Sequence, residues 1–311
     1  MSSLLSAPHF HDEEAAVAYV EARVWANGVS CPHCGNADDK RIGKLTGKST
    51  RIGVRKCYVC RKPFTVKVGT IFESSHVPLH LWLQAIHLMC ASKKGISSNQ
   101  LHRVLGITLK SAWFLSHRIR AAMKPLKPTP MGGEGKGVEV DETFIGPAGY
   151  QFESGKGWRV KPGTGDRHII VSLVERGSRA RSIKAGSLKG HEVKAIVMKN
   201  ADRRSKLATD EARIYGDVGI EFAEDMTVHH RDGEYVRGEA STNVAEGSFS
   251  IFKRGMRGIY QHCGENHLER YLAEFDFRYS NRVSLGYDDT ARADEALQGV
   301  SGKRLTYRTT H

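Results

Sequence analysis

Four cysteines constrain this chain more than any other feature. They fall as "CPHC" (Cys31, Cys34) and "CYVC" (Cys57, Cys60), with 22 residues between the pairs. Each C-x-x-C turn aims two thiolates at one point, and two such turns complete a tetrahedral zinc shell. The gap runs slightly past the usual ribbon window, while "RIGVRKCYVC" and "RKPFTVKVGTIF" alternate like short strands around the second turn. The spacing predicts a zinc ribbon holding structural Zn2+. Disulfides are the competing chemistry, but the opening "MSSLLSAPHFHDEE" lacks the charged and apolar segments of an export signal, which points to a reducing compartment. His33 lies inside the first knuckle, although sulfur alone already closes the shell. Cys90 and Cys263 read as small buried hydrophobes. A closed shell leaves no position for substrate, so the ribbon contributes shape rather than chemistry.

Charge placement says what that shape is for. Between Lys40 and Pro130 there are eighteen Lys and Arg against one acid, Glu73, whereas the whole chain carries a net +13. The remainder is therefore slightly acidic, and one third of the chain holds all the excess positive charge. Such a block marks contact with nucleic acid, because Lys and Arg displace the counterions condensed on phosphates. On the ribbon, Lys44, Lys48, Arg51, Arg55, Lys56, Arg61 and Lys62 are the candidate contacts to double-stranded DNA, and phosphate contacts are the commoner class. The uncharged run 74–92 contains His76, His80, Gln84 and His87 and is too polar to span a bilayer. No membrane partner is expected, and a cytoplasmic protein is.

Beyond Glu73 the period becomes helical: "LHLWLQAIHLMCASK", then "SSNQLHRVLG" with caps and a closing Gly, then "TLKSAWFLSHRIRAAM". Three helices with tight turns suggest a helix-turn-helix whose last member, from Thr108, presents Lys110, Ser111, His117, Arg118 and Arg120 to a major groove. "KPLKPTPMGGEGKG" then reads as a linker, because its prolines and glycines suit neither helix nor central strand. The expected organisation is 1–73 for an N-terminal helix and ribbon, 74–123 for the helical reader, 124–137 for the linker and 138–311 for a catalytic domain. Trp25, after the amphipathic "DEEAAVAYVEARVW", is expected to pack on the ribbon.

The last segment alternates strand and helix. "GVEVDETFIG" reads as a strand carrying Asp141, followed by a Gly-rich excursion through Lys156 and Trp158. "RHIIVSLVER" and "ARSIKAG" read as strands, "KGHEVKAIVMKN" as a helix, "KLATDEARIY" as a short strand or turn with Asp210, and "VHHRDGEYV" as another strand. This is the order of an α/β, RNase H-like mixed sheet with flanking helices. Phosphodiester chemistry needs clustered acids, since paired divalent ions must activate the attacking oxygen and stabilise the leaving one. Asp141, Asp210 and Glu246 can supply hard oxygen ligands for magnesium or manganese. Asp166, Asp202 and Asp217 compete for the second position, and Glu142 for the first. In "STNVAEGSFSIFKRGMRG", a helix places Glu246, Ser250, Lys253 and Arg257 along one polar stripe beside an apolar one of Ala245, Phe249, Phe252, Met256 and Ile259. Asn243 and Glu246 also approach a capping box, so Glu246 has a structural reading as well.

Taken together, "CPHCG", "RKPFTVKVGTIFE", "VEVDETFIG", "STNVAEGSFSIFKRGMRGIY" and "HLERYLAEFDFRYSNR" resemble bacterial insertion-sequence transposases that join a zinc ribbon and helical DNA-binding region to a DDE catalytic domain. The resemblance implies binding to terminal inverted repeats, metal-assisted hydrolysis of one strand, and attack of the freed 3′ hydroxyl on target DNA. Asp141, Asp210 and Glu246 then hold the metal, Lys253 positions phosphate, and Arg257 continues the DNA contact. It also implies a homo-oligomer on two DNA ends, working at the bacterial nucleoid. Some relatives carry Asn as the third ligand, which keeps Asn243 in view. Two rivals remain: a DNA-binding regulator with an idle catalytic domain, and a simple metal-dependent nuclease.

Overall fold

A computed structural model describes residues 4–163, 165–210, 213–228, 236–237, 240–241, 243–261 and 263–306. The chain divides into two compact units, Met1–Pro125 with Tyr287–His311, and Leu126–Gly286.

The first unit opens with α1 (Glu13–Val24), capped by Asp12, whose carboxylate accepts the Ala15 amide at 2.7 Å. The ribbon follows as β1 (Ile42–Lys44), β2 (Arg55–Cys57) and β3 (Pro63–Phe64), all antiparallel. Cys31, Cys57 and Phe64 form its small core, and Trp25 packs against them, edge-on to Phe64 at 6.0 Å between ring centroids. Three helices come next: α2 (Leu79–Ala91), α3 (Ser98–Leu105) and α4 (Leu109–Met123). Ser97 caps α3 through the Gln100 amide, Gly106 ends it at φ +64°, and Thr108 caps α4 through the Ser111 amide. That left-handed Gly is what lets the chain turn within three residues from one helix to the next.

In the second unit, the Pro- and Gly-rich stretch expected as a linker is anchored over its second half. Met131 is fully buried and bridges Ala201, and the Gly132 amide donates to Glu175 at 3.1 Å. Gly132 has φ +82°, and a Cβ there would lie 2.1 Å from Ser205 Oγ, so only glycine fits. Then come β4 (Gly137–Ile145), β5 (Tyr150–Glu153), β6 (Gly157–Val160), β7 (His168–Glu175), β8 (Ala180–Ala185), α5 (Gly190–Asn200), β9 (Lys206–Asp210) and β10 (Glu224–Val228). After a small ladder of β11 (Val236–Arg237) and β12 (Ala240–Ser241), α6 (Asn243–Gly255) runs into a π turn at Met256–Tyr260, and α7 (Leu268–Ser280) follows.

The main sheet has the order β10-β9-β4-β7-β8. β4, β7 and β8 form an antiparallel meander, while β9 and β10 run parallel to β4. This is the RNase H-like mixed sheet with flanking helices. Alternation along β4 sends Val138, Val140 and Phe144 into a core with Val193 and Val197 of α5. The opposite core joins Ile170 of β7 to Phe252, Met256, Leu268, Leu272 and Phe275 of α6, its π turn and α7. Each of these larger side chains stabilises the unit by roughly 1.5–3 kcal/mol through burial.

Two elements differ from the sequence reading. The Gly-rich excursion folds into the β5–β6 hairpin, with Tyr150, Phe152, Trp158 and Val160 exposed. A strand also runs over Glu224–Val228, while most of the strand expected over 228–236, residues 229–235, lies outside the described residues. Packing also reassigns the tail. The final helix, α8 (Asp289–Gln298), packs on α1, α2 and α4; Arg23 and Tyr19 both bond Asp294, and the Ile71 amide donates to the Val300 carbonyl at 3.1 Å. Sequence order placed 287–311 with the catalytic domain; long-range contacts place Tyr287–His311 in the first unit. Among the described residues, no helix is long and apolar enough to cross a membrane.

Candidate metal centres and nucleic-acid interface

The four knuckle sulfurs converge as the spacing predicts. The ligand atoms of Cys31, Cys34, Cys57 and Cys60 all lie within 4.8 Å of one another, with Cys31–Cys60 and Cys34–Cys57 Sγ pairs at 3.7 Å. A tetrahedron built on Zn–S bonds of about 2.3 Å has edges of about 3.8 Å, so the sulfurs fit zinc. Backbone N–H groups of Cys60 and Val59 hold the Cys57 thiol down at about 7, favouring the thiolate that binds metal. His33 is exposed and directs Nε2 toward the Pro63 carbonyl, 3.4 Å away, rather than joining the cluster.

On the catalytic sheet, the register pairs Glu139 of β4 with Ala208 of β9. Asp141 and Asp210 each lie two residues beyond the end of that ladder, close enough for the charge of Asp210 to act on Asp141. Both lie on the α6 side, because Leu207 belongs to the opposite core and Ala208 does not. Burial first, then the negative charges of Glu142, Asp210 and Glu246, raise the Asp141 carboxyl to about 7. All the matched acids therefore act on one side chain. Glu142 alternates to the other face, where its Oε2 accepts the Tyr215 hydroxyl at 2.6 Å. Burial, followed by Glu142, pushes the Tyr215 hydroxyl up. The competitors for the second position are engaged elsewhere. Asp166 pairs with Lys161 at 2.6 Å, Asp202 with Arg204 at 2.7 Å, and Asp217 lines a cavity of about 300 Å3 with His191, Lys194 and Glu221.

The α6 stripes are as the period predicts: Ala245, Phe249, Phe252 and Met256 are buried, while Glu246, Ser250 and Arg257 are exposed and Lys253 half-buried. Asn243 is the first residue inside the helix rather than its cap. The first-turn amides of Val244 and Ala245 are bonded by Glu139, a residue the sequence reading passed over as part of a strand.

The basic block sorts into two classes. Lys44, Lys48, Arg51, Arg61, Lys62 and Lys110 are exposed. Arg55 is not free for DNA: it pairs with Glu21 at 2.7 Å and stacks over Trp25. Lys56 is half-buried, with its amine above the Tyr58 ring. Arg118 and Arg120, expected in a groove, are instead 3% and 1% exposed, and His117 is fully buried. The second half of α4 is surrounded by protein, and Arg118 donates to the Ile71 and Glu73 carbonyls at 2.7 Å each. Exposed cations flank the turn between α3 and α4: Arg103 near the end of α3, missed by the sequence reading, and Lys110 in the first turn of α4. Arg118→Ala is expected to cost roughly 3 kcal/mol by stranding buried carbonyls. DNA affinity of the folded fraction should be unchanged, as paired denaturation and binding curves will show. Lys110→Ala should instead preserve stability and lower the salt slope of binding by about 1.

Residues 132–280, nearly the whole second unit, match the ISXO2-like transposase domain, and residues 11–63, covering α1 and the ribbon, match the transposase zinc-ribbon domain. Together the matches span more than half of the chain. The chain belongs to this family of insertion-sequence transposases. It is also similar to a protein of Halobacterium salinarum described as an uncharacterized protein in transposable element ISH50, at 27% identity over 86% of this chain and 91% of the relative. Family membership brings DNA as the partner, a structural zinc ribbon and a DDE catalytic domain.

For the transposase, the raised Asp141 has a signed consequence. Its folded value of about 7 exceeds the ordinary 3.8, so the folded state holds the proton more tightly. The stability this contributes is complete below pH 4 and is lost as pH rises through about 7. Above that, ionised Asp141 faces the like charges of Glu142, Asp210 and Glu246, a repulsion that a divalent cation bound there would relieve. Mg2+ is expected to raise the thermal midpoint more at about pH 8 than at about pH 6. Asp141→Asn should raise the midpoint of chelator-treated protein at the higher pH and remove the Mg2+ response. Equal Mg2+ shifts at both pH values would contradict this.

Proposed function

We propose that the chain is a DNA transposase that binds the terminal inverted repeats of an insertion element and catalyses metal-dependent strand cleavage and strand transfer. Asp141, Asp210 and Glu246 hold magnesium or manganese, and Lys253, two helical turns beyond Glu246, seats a phosphate of the same strand. When bound, the metal activates the attacking oxygen and neutralises charge on the leaving one. Lys44, Lys48, Arg51, Arg61 and Lys62 of the ribbon, together with Lys110, hold the end duplex, chiefly through phosphates. Two chains acting on two ends complete the reading.

One observation carries it: Asp141 and Asp210 extend one face of the paired strands β4 and β9 toward α6, and the charges of Asp210 and Glu246 both reach the Asp141 carboxyl. The decisive experiment incubates purified protein with Mg2+, a labelled duplex of the element end and a plasmid. Joining of the labelled 3′ end to the plasmid is expected. Cleavage without joining would instead indicate a nuclease, and stable binding with neither would indicate a regulator.

A further inference from the structure

We propose that Glu139 is a positioning residue that fixes α6 so that Glu246 faces Asp141; this rests on the reading of those two acids as metal ligands. Glu139 is fully buried, and an ionised carboxylate taken out of water costs several kcal/mol unless it is paired and hydrogen-bonded. Here both oxygens are engaged. Oε1 accepts Arg176 Nε at 2.8 Å, and Oε2 accepts the Val244 and Ala245 amides at 2.9 and 3.1 Å. Those amides are the positive end of the α6 dipole, which favours a negative partner.

The placement is what distinguishes this from an ordinary cap. A local cap ties a helix to its own preceding loop. Glu139 sits on the central strand, two residues before Asp141 and on the same face, and it grips the two residues immediately preceding Glu246. One side chain thus links the strand of the first acid to the helix of the third. Further along, Phe252 of α6 and Met256 of its π turn anchor the helix in the apolar core, and Phe249 is buried. Removing the Glu139 grip should therefore displace the first turn, with Glu246 on it, while the rest of α6 stays docked. Glutamine is a poor replacement, because its amide donor must oppose either Arg176 or the helix amides.

The test uses the full chain without DNA and reads Mn2+ binding by electron paramagnetic resonance and amide exchange over 243–250. Glu139→Gln is expected to weaken Mn2+ roughly tenfold or more, the usual effect of removing a group that orients a metal ligand. Exchange of the Val244 and Ala245 amides should rise while that of the sheet is unchanged. Should Glu139→Gln fail to fold, Glu139→Asp keeps the charge but withdraws it by one methylene, and the same weakening is expected. A purely structural role predicts unchanged Mn2+ affinity per folded molecule, and that result would overturn the inference. If Asp141→Asn abolishes Mn2+ binding and Glu139→Gln does not alter it, only this inference fails. Absence of Mn2+ binding by the unaltered protein overturns the proposed function as well.

Discussion

Glu246→Gln is expected to leave the fold intact and to reduce strand cleavage and joining by about a thousandfold, since a metal ligand contributes several kcal/mol of charge stabilisation to phosphoryl displacement. Glutamine occupies nearly the same volume, and Glu246 is exposed, so no buried contact is lost. Nor is a helix cap: the Val244 and Ala245 amides are satisfied by Glu139, and Glu246 lies one residue beyond the capping-box position of a helix that starts at Asn243. Single-turnover cleavage of an end duplex, measured beside circular dichroism, separates the alternatives. Strand transfer at the normal rate would remove Glu246 from the site.

Cys57→Ser carries the second large effect. Cys57, the last residue of β2, is fully buried in the ribbon core, and its sulfur lies 3.7 Å from that of Cys34. Serine is a far weaker zinc ligand, and apparent binding energies of about 10–16 kcal/mol make structural zinc inseparable from folding in small modules. The variant is expected to lose zinc to a mild chelator and, with the ribbon unfolded, to bind end DNA poorly. The second unit, which holds none of the zinc ligands, should keep its thermal transition. Stoichiometric zinc in the dialysed variant, measured by atomic emission, would refute the four-sulfur site.

The elements that local chemistry specifies were legible in the sequence. The Cys pairs, the Ser97 and Thr108 caps, the Gly106 stop, and the apolar run of β7 each announce themselves within a few residues. Pattern left the second acid open between Asp210 and Asp217, and the structure adds where each lies: Asp210 ends the strand paired with β4, whereas Asp217 lines a cavity against α5. What stayed hidden depends on distant partners. Arg118 and Arg120 look like a basic groove surface until the packing around α4 buries them. Glu139 looks like a polar residue in an alternating strand, because its partners, Arg176, Val244 and Ala245, lie far along the chain. The β5–β6 hairpin was masked by its glycines, which supply turns while the paired residues do the strand work.

The return of the chain to its starting unit bears on how such genes decay. Ala293, Ala296, Leu297 and Val300 fill the core built by α1, α2 and α4, so the segment carrying α8 completes the unit that carries the ribbon, not the one that carries Asp141, Asp210 and Glu246. Loss of the chain from Tyr287 onward would spare Asp141, Asp210 and Glu246 yet strip the helical core of α8. Truncated chains should thus lose the packing of the unit that carries the ribbon while the five-stranded sheet keeps its own core.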